Sequence, residues 1–146
     1  MRAPSPPAGY SGTPLLKKLG YRDGGHALLI AVPDSLDELT RFPGFARREV
    51  LAATDSRLPR GPFDLVHLFT TDRRDLERLL PRLRAILAPS GAIWVSWPKK
   101  SSKVPTTITE DVIREVCLPE LVDVKVAAVS EIWSGLKLVI PVAMRT

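Results

Sequence analysis

Four polar clusters follow four apolar runs, and they hold the residues best placed for chemistry. Pro33, Asp34 and Ser35 follow the run from His26 to Val32, and Asp55 follows the stretch Glu49 to Thr54. Thr70, Thr71 and Asp72 follow Phe63 to Phe69; Ser96, Trp97, Lys99 and Lys100, with Lys103 just beyond, close the run that begins at Ala92. Carboxylates, hydroxyls and ammonium groups so placed suit binding. There is no Ser-His-Asp arrangement, Cys-x-x-Cys pair, His-Glu-x-x-His or phosphate loop. His26 and His67 have no metal-ligating partner at useful spacing, so both read as structural. Cys117, the only cysteine, excludes an intrachain disulfide and falls on the apolar side of a predicted helix as a core residue. The lysines could hold a small anion such as phosphate, with Trp97 as a lid or stacking platform. The plainer alternative makes Asp34, Ser35 and Asp72 helix caps and the lysines a solvated loop.

The elements that must position these groups alternate along the chain. Residues Met1 to Gly9 are rich in proline and small residues and read as a disordered tail, with one domain over 10–146. Thr13-Pro14 predicts the start of a short helix ended by Gly20. The continuous apolar run His26–Val32 predicts a strand buried on both faces. Ser35-Leu36-Asp37-Glu38 matches a capping box before a short helix with Leu36, Leu39 and Phe42 on one side. A second strand over 49–54 and a third over 63–69 follow. Asp72 then caps a helix whose Leu76, Leu79, Leu80, Leu83, Ile86 and Leu87 fall on one face despite Pro81. Pro89-Ser90-Gly91 reads as a turn before a fourth strand, 92–97. Thr107-Ile108-Thr109-Glu110 reads as a second capping box, with Val112, Ile113 and Val116 inward. The stretches 121–130 and 133–142 are too close for a parallel crossover and form an antiparallel hairpin. The fold class is therefore α/β: a single-domain, three-layer, Rossmann-like and mostly parallel sheet closed by a C-terminal antiparallel hairpin.

Such a sheet resembles the S-adenosylmethionine-dependent methyltransferase fold. Leu87-Ala-Pro-Ser-Gly91-Ala-Ile-Trp-Val resembles that fold's late turn and strand, where L-x-P-G-G precedes an apolar run. The resemblance implies a cofactor site at the ends of the first two strands, with Asp55 in register for the ribose-binding acid and Thr70-Thr71-Asp72 near a substrate. The Gly-rich loop of the family is replaced by Val32-Pro33-Asp34-Ser35-Leu36, with no glycine before Gly44. Proline removes a backbone donor there, and side chains crowd the approach. The chain also resembles a small bacterial family that carries Tyr10-Ser-Gly-Thr-Pro-Leu, Lys17-Lys-Leu-Gly20, Trp97-Pro-Lys-Lys100 and Trp133-Ser-Gly-Leu-Lys137. That family implies no particular activity.

At 146 residues the chain suits one domain able to bury roughly 70% of its unfolded surface. The formal net charge of +5 permits attraction to polyanions. Between Arg57 and Lys103 ten Lys/Arg stand against four Asp/Glu, yet no nucleic-acid motif accompanies them. No signal-peptide core or membrane span is legible, so a cytoplasmic protein is expected. The expectation is a non-enzymatic binding or regulatory module on a methyltransferase-like scaffold, without a cofactor. Its partner would be a protein or a small anion at the Ser96–Lys103 rim. The alternatives are a divergent S-adenosylmethionine-binding methyltransferase and a basic nucleic-acid-binding protein. A homodimer through the edge strand of the hairpin, Trp133 to Val142, is a further expectation.

Overall fold

The computed structural model describes residues 14–145. The tail over 1–9, the start of order at Tyr10 and the Thr13 cap lie outside the described residues. Helix α1 is Leu15–Lys18, β1 His26–Ile30, α2 Asp37–Thr40 (entered through a 3-10 turn, Asp34–Leu36) and β2 Arg47–Leu51. Strand β3 is Phe63–Phe69, α3 Arg73–Ala85, β4 Leu87–Pro98, α4 Glu110–Cys117, β5 Val122–Ala128 and β6 Trp133–Val139.

The six strands form one sheet in the order β2-β1-β3-β4-β6-β5. Strands β1 to β4 run parallel, while β6 is antiparallel to both β4 and β5. Strand β1, flanked by β2 and β3, is apolar after the exposed His26 because Ala27 to Ile30 meet core on both faces. On one face Leu28, Ile30, Val66, Leu68, Ile93, Val95 and Trp97 pack against α3 and α4. Leu76, Leu79, Leu80 and Leu83 supply the α3 side of that layer, as read from the sequence, but the predicted stripe ran too far: Ile86 lies past the helix end and Leu87 opens β4. On the other face Ala27, Leu29, Leu65, Phe69 and Trp94 pack under α1, Tyr21, Leu36 and Leu39. No helix among the described residues is long and apolar enough to cross a membrane.

Several expectations change. The first strand stops at Ile30 and the second lies over 47–51 rather than 49–54. Pro89-Ser90-Gly91 is no free turn: the register jumps from Phe63↔Leu87 to Leu65↔Ala92, so it is an irregularity inside a 12-residue strand. Ser35 does not cap a helix, because the segment opens as a 3-10 turn with no side-chain cap. The second capping box shifts by two residues: Thr109 caps α4 by accepting from the Val112 amide at 3.1 Å. Helix α4 buries Ile113 and Cys117, while Val112 and Val116 are only half-buried. Finally, β6 lies inside the sheet and β5 is the edge. That edge carries Lys125 and a register shift between Asp123 and Lys125, features that discourage strand addition.

Candidate ligand site at the carboxyl ends of the strands

The parallel strands β1 and β2 end beside a depression of about 300 Å³. Val32, Pro33, Asp34, Asp37 and Thr40 line one side, and Val50, Leu51 and Ala52 the other. Ala31 makes the turn into it at φ 58, a left-handed conformation that costs an L-residue about 1–2 kcal/mol. Its amide donates to the Leu51 carbonyl at 2.9 Å, so β2 holds the strained residue in place. Asp34 is exposed. Asp37 pairs loosely with Arg41 at 3.4 Å, both largely solvated. The depression thus combines apolar walls with carboxylate and hydroxyl acceptors.

Asp55 stands elsewhere. The residue directly after β2 is Ala52, and Asp55 is an exposed turn residue three positions on. The preceding Thr54 is drawn onto α3: its hydroxyl donates to Asp75 at 3.0 Å, and Arg78 donates to its carbonyl at 3.0 Å. The acid in tempting register is therefore separated from the depression.

Over β3 and β4 the same rim is occupied by the chain itself. The Thr71 carbonyl accepts from the Thr106 hydroxyl at 2.7 Å and from the Thr107 amide at 3.0 Å. The Thr107 hydroxyl accepts from the Arg73 amide at 2.7 Å, and Asp72 accepts from the Arg74 amide at 2.8 Å. Two of the donors that an anion would use at the start of α3 are thereby taken. Hydrogen bonds from Arg74 hold the Asp72 carboxyl below the usual carboxylate range. Thr70 is buried, its hydroxyl accepting from the Asp72 amide at 3.3 Å.

Trp97 is no stacking platform. It is 7% exposed and packed in the α3–α4 layer, while Trp94 faces the opposite layer. Lys99 donates its amide to the Ile132 carbonyl at 2.8 Å. Lys100 opens a 3-10 turn, Lys100–Ser102, and Lys103 follows at φ 62. The lysines sit on an ordered turn, with Lys100 and Lys103 exposed and Lys99 half-buried. Ser96 is fully buried and cannot meet a ligand at the rim. The predicted site residues thus fall into separate places: Asp34 at the depression, Ser35 exposed in the 3-10 turn, Thr70–Asp72 in the α3 cap, and the lysines beyond β4.

What the sequence reading missed is a buried polar line through the α1-side layer. The Tyr21 hydroxyl meets His67 Nδ1 at 2.9 Å, and His67 Nε2 meets Ser96 Oγ at 2.8 Å. His67 also stacks on Phe69 at 4.4 Å. Burial pushes the His67 pKa down to about 3 and the Tyr21 hydroxyl above its ordinary range, so both stay neutral. The signal available was a histidine inside an otherwise apolar strand, which needs partners for both ring nitrogens. Three motifs find their partners inside the fold, with Trp94 in the α1-side layer and Trp97 in the opposite one. Trp94 Nε1 donates to the carbonyl of Leu19 in Lys17-Lys-Leu-Gly20 at 2.8 Å. Trp97-Pro98 pairs in register with Ser134-Trp133, and Ser96 with Gly135.

Four of the ten basic side chains between Arg57 and Lys103 have acidic partners. Arg73 pairs with Glu77 and Glu115, Arg74 with Asp72, Arg78 with Asp75 and Arg84 with Glu120. Glu115 and Glu120 come from beyond the basic window, so the charge count overstated a basic stripe.

Comparison with solved structures finds relatives of the fold. An S-adenosylmethionine-dependent methyltransferase from Aquifex aeolicus superposes with a TM-score of 0.65 at 16% identity, covering 87% of this chain and 88% of its own. The N-methyltransferase NodS from Bradyrhizobium japonicum WM9 gives 0.63 at 14% identity, covering 87% and 92%. A methyltransferase of the same type from Clostridium acetobutylicum gives 0.60 at 11%, covering 84% and 85%. The fold is the Rossmann-like methyltransferase fold. No protein-family model matches the chain, and no curated protein matches it in sequence. The resemblance to a small bacterial family therefore rests on its motifs alone.

Proposed function

We propose that the protein binds a nucleoside-type ligand of the S-adenosylmethionine class at the depression between β1 and β2, as a binding module that transfers no methyl group. The observation that carries this reading is the depression itself. It lies outside the carboxyl ends of two parallel strands of a methyltransferase fold, where open α/β sheets take ligands. Val32, Val50 and Leu51 offer apolar contact for a purine. Asp34 and Asp37 offer acceptors for ribose hydroxyls.

The residues present suit the nucleoside half of such a ligand and not the amino-acid half. Pro33 has no amide to donate, and Ala31 carries a Cβ into the tight turn where a glycine would leave the backbone open. Over β3 and β4, Thr106 and Thr107 fasten the 99–109 segment to Thr71, and the buried hydroxyl of Ser96 is engaged by His67.

Calorimetric titration with adenosine, S-adenosylmethionine and S-adenosylhomocysteine tests this. The expected result is saturable binding of all three at similar affinity, weakened about tenfold by Asp34→Asn, which is about 1.4 kcal/mol. Absence of binding by any of them at millimolar concentration overturns the reading. A second reading, a divergent methyltransferase, is favoured by the fold likeness to solved methyltransferases. Its mark is S-adenosylhomocysteine binding more than about tenfold tighter than adenosine, because the amino-acid half would then be recognised.

A further inference from the structure

A second depression, of about 140 Å³, opens on the α1 side of the sheet near the amino ends of the parallel strands. Lys137, Arg22, Ser90 and Asp64 are the polar and charged residues among its lining. Its other walls include Gly20, at φ 82, whose missing side chain leaves the wall low.

The charge balance here is unusual. Lys137 is half-buried on β6, a strand with neighbours on both sides, and stands in register with Trp94 on β4 and Lys125 on β5. Like charges directly across a strand pair destabilise it. Lys125 turns to the Lys18 carbonyl at 3.3 Å and so finds a dipole rather than a counter-charge. Every ion pair among the described residues involves other groups. Residues 1–13 add no Asp or Glu that could compensate. Asp64 lines the depression, yet its carboxylate accepts from the His26 amide at 2.8 Å and lies beyond ion-pair distance of Lys137 and Arg22. Lys137 thus stands opposite a second lysine in the strand register and has no acidic partner among the described residues, a charge that an anion from outside would offset.

We propose that this depression is a binding site for the oxyanion group, phosphate or carboxylate, of a small molecule. Lys137 provides the central charge, Arg22 a second one from the rim, and the Ser90 hydroxyl a hydrogen bond. A space of this size takes the head group while the remainder of the molecule projects into solvent. The site is separate from the nucleoside depression in place and chemistry, so the two readings stand or fall independently.

Titration of the full chain with inorganic phosphate and, separately, acetate tests the proposal, at ionic strength held constant with chloride. Binding is followed by the backbone amide resonances of Gly20, Gly25 and Ser90. The expected result is saturable shifts at these amides for at least one of the two anions. Arg22→Gln and Lys137→Met should each weaken binding about tenfold, the worth of one charge-assisted hydrogen bond. Tighter binding of phosphate assigns a phosphate-bearing ligand, and tighter binding of acetate a carboxylate. No saturation below about 50 mM of either anion overturns the proposal, as does affinity unchanged by Arg22→Gln. Should Lys137→Met fail to fold, the exposed Arg22 variant decides alone.

Discussion

The buried His67 makes the stability of this protein depend on pH in a window where few other groups titrate. Both ring nitrogens are engaged, by Tyr21 at 2.9 Å and Ser96 at 2.8 Å, and the ring is fully buried. Burial lowers its pKa to about 3, whereas the unfolded chain protonates the same imidazole near 6.5. Below pH 6.5 the unfolded state therefore binds more protons than the folded one. The contribution is complete above about 6.5 and is lost as the pH falls toward 3. Between pH 7 and pH 5 the loss amounts to about 2 kcal/mol, a large share of a typical domain's 5–15 kcal/mol. Urea denaturation at the two pH values, with the slope of the transition checked for constancy, measures it. His67→Gln keeps a polar side chain between Tyr21 and Ser96 but cannot titrate. The variant should be less stable at pH 7 and should lose much less between pH 7 and pH 5. Equal losses in wild type and variant would show that His67 is not held neutral by burial.

Two further perturbations probe positions where the backbone is constrained. Ala31→Val puts a β-branched residue at φ 58 and should destabilise by about 2 kcal/mol, read as a lower urea midpoint with unchanged slope. Gly135→Ala places a Cβ 3.1 Å from the Trp94 ring, 3.2 Å from Val129 and 3.3 Å from Ser96 Oγ; a loss of about 1–3 kcal/mol and a changed Trp near-ultraviolet signal are expected.

Much of the fold was legible because periodicity and burial coincide. Ala27 to Ile30 are apolar on both faces because a packed layer covers each face of the sheet, and the leucines of α3 recur at helical spacing because one face meets the sheet. The closing hairpin followed from loop length alone. Capping was less legible, since Thr107 and Thr109 offer the same hydroxyl and only the tertiary pairing separates them. Thr107 serves α3 from a distance, accepting from Arg73, while Thr109 caps its own helix. The position of the hairpin's strands was illegible for a similar reason. Either strand pattern suits an edge, and β6 lies inward because its Leu136 and Leu138 complete the α3–α4 core, leaving Val124 and Val126 of β5 half exposed.

The candidate site was read least well because proximity in sequence to a strand end is not proximity to a common space. Asp34 and Asp55 both follow strands, yet a hydrogen bond from Arg78 to Thr54 draws the second toward α3. Trp97 and Lys99 are two residues apart, yet one is in the core and the other on the rim. What remains where a ligand of this fold would sit is the Val32–Thr40 wall against Val50–Ala52. That wall lacks the glycines that would admit an amino-acid tail and has the carboxylates that would meet a ribose. On the reading proposed above, a glycine-free turn beside this depression means that recognition stops at the nucleoside. The comparison of adenosine with S-adenosylhomocysteine is thus a direct reading of Ala31 and Pro33.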